Sequence, residues 1–207
     1  MSTSDRTPLT FRGQAYAAFL FDMDGTLLDS SPVVERVWTS WALRHGHEPA
    51  EVLAVCQGLQ YRDTLRRFAK PDLDIEAEAA LLLQAELDDI EGVVAIAGVK
   101  ALIEGLDPTR WAIVTSAPKA LAETRLRAAG LEVPEHFITG ESVQNGKPNP
   151  EGFLKAAKLL GVSIGECLVF EDSPAGVAAG RAAGARVAIV GDLVLACEGD
   201  LVISDYR

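Results

Sequence analysis

The chain has 207 residues, 48% hydrophobic and 24% charged, with a formal net charge of −11. That mixture excludes a disordered or fibrous protein, and the length allows a real core without disulfides or a structural metal. An acidic balance with no basic run leaves no electrostatic footprint for nucleic acid or an anionic membrane.

In chain order, residues 1–14 are polar and contain Asp5, Arg6 and Pro8, so they lack the apolar core of a secretion signal. Residues 17–21 (Ala-Ala-Phe-Leu-Phe) read as a strand. Residues 32–93 then show only helix. Val34, Val37, Trp38, Trp41 and Ala42 fall on one helical face that stops at Gly46, and residues 76–89 are rich in Ala, Leu, Glu and Gln with a second apolar face. The strand rhythm resumes at residues 111–114, with a shorter candidate at 137–139, then 167–170 and 185–190, and an edge at 201–203. Pro118, Pro150 and Pro174 stand at first helical positions, and Gly130, Gly161 and Gly184 follow the same helices at their stops. Short, continuously apolar strands alternating with helices indicate a parallel sheet covered on both faces. The expected fold is α/β: a Rossmann-like three-layer parallel sheet core (residues 15–32 and 94–207) with an inserted all-helical cap domain (33–93). No stretch approaches the roughly 18 apolar residues of a membrane span. Cys56, Cys167 and Cys197 have no C-x-x-C spacing and read as buried free thiols of a reducing compartment. A cytoplasmic monomer is expected.

In a parallel α/β sheet, chemistry collects at the carboxyl ends of the strands. Those ends carry Asp22-Met23-Asp24-Gly25-Thr26, then Thr115-Ser116, a loop with Gly146-Lys147-Pro148, and Glu171-Asp172-Ser173. Four carboxylates in one crevice cannot all stay ionised without a counter-charge. A divalent cation resolves this, and few hard oxygen ligands with room for substrate oxygens suit Mg²⁺. Lys147 adds a point charge and Ser116 a donor for phosphate oxygens. The inventory fits phosphoryl transfer, where positioning and charge neutralisation dominate. Asp22 and Asp24 leave the strand on the same side while Met23 points into the core. One of the pair can act as nucleophile, and the other as an acid that later activates water.

Asp-Met-Asp-Gly-Thr, Thr-Ser after a hydrophobic strand, Gly-Lys-Pro and Glu-Asp, in this order, resemble the four motifs of the haloacid dehalogenase superfamily. The helical insert lies where subclass I of that superfamily places its cap. The resemblance implies a metal-dependent hydrolase working through an aspartyl-phosphate. Asp22 would be the nucleophile and Asp24 the general acid/base. Asp22, the backbone carbonyl of Asp24 and Asp172 would hold Mg²⁺, with Glu171 assisting, and Ser116 and Lys147 would bind the phosphate. Two aspartates at the first strand end speak against a dehalogenase proper. Stretches such as Trp41-Ala42-Leu43-Arg44-His45-Gly46 and Trp111-Ala112-Ile113-Val114-Thr115-Ser116 are most similar to bacterial sugar (hexitol) phosphatases. The related beta-phosphoglucomutases would carry a histidine at Val34 and an arginine at Tyr61, which favours hydrolysis here. Ala97-Gly98 replaces the usual Pro-Gly at the second hinge.

The expected partner is a small-molecule phosphate ester, with no nucleic acid and no membrane. Arg62 is the best cap contact to it, within a basic helix face (Arg62, Arg66, Arg67, Lys70) that otherwise reads as solvated. A phosphomutase and a non-enzymatic, receiver-like phospho-acceptor are the alternatives. Residues 140–147 fail as a P-loop because Pro148 stands where Ser or Thr is required, and His45-Gly46-His47 reads as a solvated helix end.

Overall fold

The computed structural model describes residues 8–191, 196 and 200–207. Its centre is a six-stranded, all-parallel sheet of β3 (Ala18–Phe21), β6 (Trp111–Val114), β7 (Phe137–Ile138), β8 (Cys167–Glu171), β9 (Arg186–Val190) and β10 (Leu201–Ile203), in the order β10-β9-β8-β3-β6-β7. Strand alternation divides the apolar runs between two cores. Phe19, Phe21, Ile113, Leu168 and Phe170 face one layer, and Ala18, Leu20, Ala112, Val114 and Val169 the other. That division is why these strands read as unbroken hydrophobic runs. The first layer is covered by α5 (Val99–Glu104) and α6 (Lys119–Ala128), through Val99, Ala122 and Leu126. The second is covered by α7 (Glu151–Leu160) and α8 (Pro174–Ala183), through Phe153, Ala156, Val177 and Ala179. This is the expected three-layer α/β architecture.

Between β3 and α5 the chain leaves the sheet for four helices: α1 (Ser31–His45), α2 (Pro49–Cys56), α3 (Tyr61–Phe68) and α4 (Ile75–Asp88). They enclose a core of their own around Trp38, Trp41, Val52, Leu65 and Leu82. The two crossings to this helical layer are tied by a short antiparallel ribbon, β4 (Leu28–Asp29) with β5 (Val94–Ala95), which sequence patterning does not reveal. Among the described residues no helix is long and apolar enough to cross a membrane.

Several local expectations need correction. The polar start contains a hairpin, β1 (Leu9–Phe11) with β2 (Gln14–Tyr16), and Phe11 packs edge-on against Phe170 at 5.0 Å. Pro118 and Pro150 sit at the N-cap, one residue before their helices, whereas Pro174 does open α8 behind a Ser173 cap. His45 and His47 are only partly solvated. They stack on the Trp41 ring at 4.7 and 5.6 Å, and His45 also meets Glu78 at 3.2 Å. Cys56 and Cys167 are buried free thiols, with burial pushing each up to about 12. Cys197 lies outside the described residues.

Candidate active site

β3 is flanked by β8 and β6, so its carboxyl end opens where the chain's connections diverge to either side, the usual ligand position in such sheets. Asp22 follows β3 directly and is 5% exposed, while Met23 is wholly buried. Gly25 turns the chain away at φ +80°. A Cβ there would lie 1.9 Å from Asp172 Oδ2, so the bare backbone is what lets Asp172 reach the crevice. On β8, Glu171 is fully buried. Its Oε2 accepts the Asp172 and Ser173 amides and the Ser173 hydroxyl, each at 3.0 Å. These bonds fix the turn that presents Asp172, which also accepts from the Thr26 hydroxyl at 3.2 Å.

Lys147 enters from the loop between β7 and α7, 6% exposed, with its Nζ paired to Asp22 and, at 2.5 Å, to Glu171. Burial alone would lower the Lys147 ammonium, but the charges of Asp22 and Glu171 raise it above its ordinary value. Burial pushes Asp22 well above the carboxylate range, against the pull of Lys147 and helped by Glu171 and Asp172. Asp172 keeps some solvent contact through the crevice, yet burial and then Glu171 push it up to about 7. Oxygens of Asp22, Glu171 and Asp172 lie within 4.8 Å of one another. One buried ammonium therefore faces three carboxylates, a set short of positive charge and made of hard oxygen donors. That donor set fits a divalent cation.

Asp24 is held differently. Its Oδ1 accepts from the Ser30 hydroxyl at 2.7 Å and from Arg125 Nη1 at 2.9 Å. Arg125, buried on α6, also donates Nη2 to Glu86 of α4 at 3.0 Å, and the Tyr61 hydroxyl donates to the same Glu86 oxygen. Burial raises the Glu86 carboxyl against the lowering pull of Arg125, Tyr61 and Trp38. This network runs from the crevice into the helical layer without a break.

The helices meet the sheet at two further points. Ser116 Oγ donates to the Gly58 carbonyl at 2.8 Å, and Gln60 Nε2 to the Gly140 carbonyl at 3.0 Å. The cleft between helices and sheet is lined by Asp22, Asp24, Ser116 and Asp172 from below and by Val34, Trp38, Tyr61 and Glu86 from above. Asp22, Lys147, Glu171 and Asp172 are thus brought together, with Asp24 and Ser116 on the same cavity wall. Arg62 is not. Its guanidinium pairs with Glu76 on an exposed face at 2.6–2.7 Å and is absent from the cavity wall. A nearby carboxylate outside the cavity holds it there. Arg125 and Glu86 escaped sequence reasoning, although each carries a signal. Glu86 falls on the Ala79–Leu82 stripe of α4, and Arg125 among Leu121, Ala122 and Leu126 of α6, so a charge interrupts an apolar face.

Residues 16–184 match the family model described as haloacid dehalogenase-like hydrolase. Hexitol phosphatase A of Escherichia coli is 48% identical over 83% of this chain and 82% of its own length. The 2-deoxyglucose-6-phosphate phosphatase 1 of Saccharomyces cerevisiae is 36% identical over 80% and 76%. A crystal structure of a hydrolase from Pseudomonas syringae superposes with a TM-score of 0.82 at 26% identity, over 92% of this chain and 94% of that one.

Proposed function

The chain belongs to the haloacid dehalogenase-like hydrolase family, and from that membership and the site we propose a Mg²⁺-dependent phosphatase acting on sugar or sugar-alcohol phosphates. The relatives named for hexitol and 2-deoxyglucose 6-phosphate hydrolysis support the substrate class. The observation that carries the reading is the Asp22–Lys147–Glu171 cluster with Asp172 beside it, one residue removed from an Asp24 held by its own partners.

In this reading Asp22, Asp172 and the Asp24 backbone carbonyl hold Mg²⁺, with Glu171 beside them. When bound, the ion supplies charge for the phosphate oxygens. An Asp22 oxygen forms a bond to phosphorus as the bond from phosphorus to the alcohol oxygen breaks, giving an aspartyl-phosphate. Lys147 orients Asp22 and offsets charge on the transferring group. Asp24 gives its proton to the leaving alcohol, then takes one from the water that attacks phosphorus, which returns Asp22 and inorganic phosphate. Ser116, at the end of β6, faces the transferring phosphate. Residues 33–93 act as the cap that excludes water, hinging near 30–33 and 94–98, where the β4–β5 ribbon sits. Val34 and Tyr61 both line the cavity, so the histidine and arginine of a mutase are absent from those places.

The test is phosphate release from sorbitol 6-phosphate and 2-deoxyglucose 6-phosphate. Turnover should vanish with a chelator, return with Mg²⁺, and be lost in Asp22→Asn while the fold persists. Hydrolysis must also retain configuration at an isotopically chiral phosphorus, because two in-line displacements occur. Full activity in Asp22→Asn, or inversion at phosphorus, would refute the covalent route.

A further inference from the structure

We infer that Glu86 determines specificity: its carboxylate accepts a hydroxyl from the alcohol half of the substrate, and its chamber favours neutral, hydroxylated leaving groups over anionic ones. This rests on the phosphatase reading above and goes past it to the atoms that read the alcohol.

Glu86 is 2% exposed on the cavity wall. Its Oε2 is occupied by Tyr61 and Arg125, but Oε1 is buried with no hydrogen-bond partner. Trp38 faces the same carboxylate without completing a bond to Oε1. A buried acceptor left unmatched costs the whole of its desolvation. A hydroxyl brought in by the substrate removes that penalty, whereas a hydrogen or methyl at the same place does not. Sites built to bond a substrate hydroxyl discriminate strongly for this reason.

Charge points the same way. Among the described residues lining the cavity, Arg125 is the cation, set against Asp22, Asp24, Glu86 and Asp172. Its two terminal nitrogens are already committed to Asp24 at 2.9 Å and Glu86 at 3.0 Å. Lys147 is engaged by Asp22 and Glu171, and Arg62 lies outside. Only the Nε of Arg125 is left without a partner, so a carboxylate or second phosphate on the leaving group would meet four wall carboxylates against one guanidinium, a repulsion that rejects it. Val34, Trp38 and Leu59 offer apolar wall for the carbon backbone of a polyol. Because Arg125 joins Glu86 to Asp24, the hydroxyl is read one guanidinium away from the group that protonates the leaving oxygen.

The experiment compares sorbitol 6-phosphate, n-butyl phosphate and 3-phosphoglycerate in kcat and KM, for the wild type, Glu86→Gln and Glu86→Leu. The wild type should prefer sorbitol 6-phosphate by about tenfold or more over butyl phosphate, the worth of one hydrogen bond to a charged group, and by more over 3-phosphoglycerate. Glu86→Leu should collapse the first preference, mainly through KM. Glu86→Gln, isosteric and still an acceptor, should narrow the gap to 3-phosphoglycerate by about tenfold. It also stands alone if the leucine variant does not fold. Equal kcat/KM for the three esters in the wild type, or a Glu86→Gln effect identical for all three, would overturn the assignment while leaving the phosphatase reading intact. No phosphate from any of the three would overturn both.

Discussion

The Ser116 hydroxyl donates to the Gly58 carbonyl at 2.8 Å, so a group at the end of β6 is held by the helical layer, the proposed lid. The same α2–α3 link carries Gln60, which reaches the Gly140 carbonyl at 3.0 Å. One short loop therefore carries both of these contacts, and any opening of the proposed lid would break them together.

Gly58 is the vulnerable point of that loop. It sits at φ +74°, and a Cβ there would lie 2.2 Å from Ser173 Oγ. Gly58→Ala should keep the lid from seating and lower kcat/KM by about tenfold, since a left-handed alanine alone costs roughly 1–2 kcal/mol. The melting temperature of the sheet should hardly move. Steady-state kinetics alongside thermal unfolding separate the two effects, and an unchanged kcat/KM would show that closure does not depend on this contact.

Lys147 is the buried cation of the acid cluster, bound to Asp22 and Glu171. Lys147→Met should reduce kcat by about a thousandfold, as loss of a main electrostatic stabiliser does. It should also destabilise the metal-free fold, and more so as pH rises above about 7, where Asp172 loses its proton and the acids are left charged without their cation. Urea unfolding and phosphate release measure both. Near-native stability at about pH 8 would mean that Lys147 does not compensate these carboxylates.

The acids also set a pH dependence. Asp172 rises from an ordinary 3.8 to about 7, and Asp22 moves in the same direction. A raised carboxyl binds its proton more tightly in the folded state. Its contribution to stability is thus complete below about pH 4 and lost as pH climbs through about 7. Metal-free wild type should lose stability relative to Asp172→Asn between pH 5 and 8. Added Mg²⁺ should stabilise more as pH increases, because proton and cation compete for the same oxygens. Melting curves of both proteins, with and without Mg²⁺, check this, and a constant gap across that range would contradict it.

Trp41 anchors the lid. It is 1% exposed, stacked against His45 and His47, and donates its indole N–H to Glu78 at 3.0 Å. Trp41→Ala should cost about 3–5 kcal/mol, concentrated in the helical layer. Denaturant titration followed at Trp38 and at Trp111, one in each layer, should then show the lid melting first. Coincident transitions would mean that the two layers unfold as one.

Why some of this was legible in the sequence and some was not follows from period and length. Strands such as Trp111–Val114 announce themselves because both faces are buried and every residue is apolar. The four acids and the lysine are legible because their strand ends and turn glycines stand beside them. The β1–β2 hairpin hides because its strands have three residues each and the turn is Arg12-Gly13, with Arg12 itself at φ 49°. The two-residue ribbon of β4 and β5 is too short to carry any period. Arg62 misled because a charged helix face gives no sign of which neighbour will claim it, and here that neighbour is Glu76. Arg125 and Glu86 hid for the opposite reason: charged residues on amphipathic helices look solvated until two helices bring them together across a gap.

Beneath the reacting acids, Phe21 and Phe170 stack at 4.6 Å with planes 17° apart, each immediately preceding a carboxylate. That pairing roots both strand ends in one buried cluster of the sheet, which also takes in Val33 at the start of α1. Val34 and Tyr61 pack in the separate core of the helical layer, so an exchange there can reshape the cavity roof while the strand ends beneath keep their places.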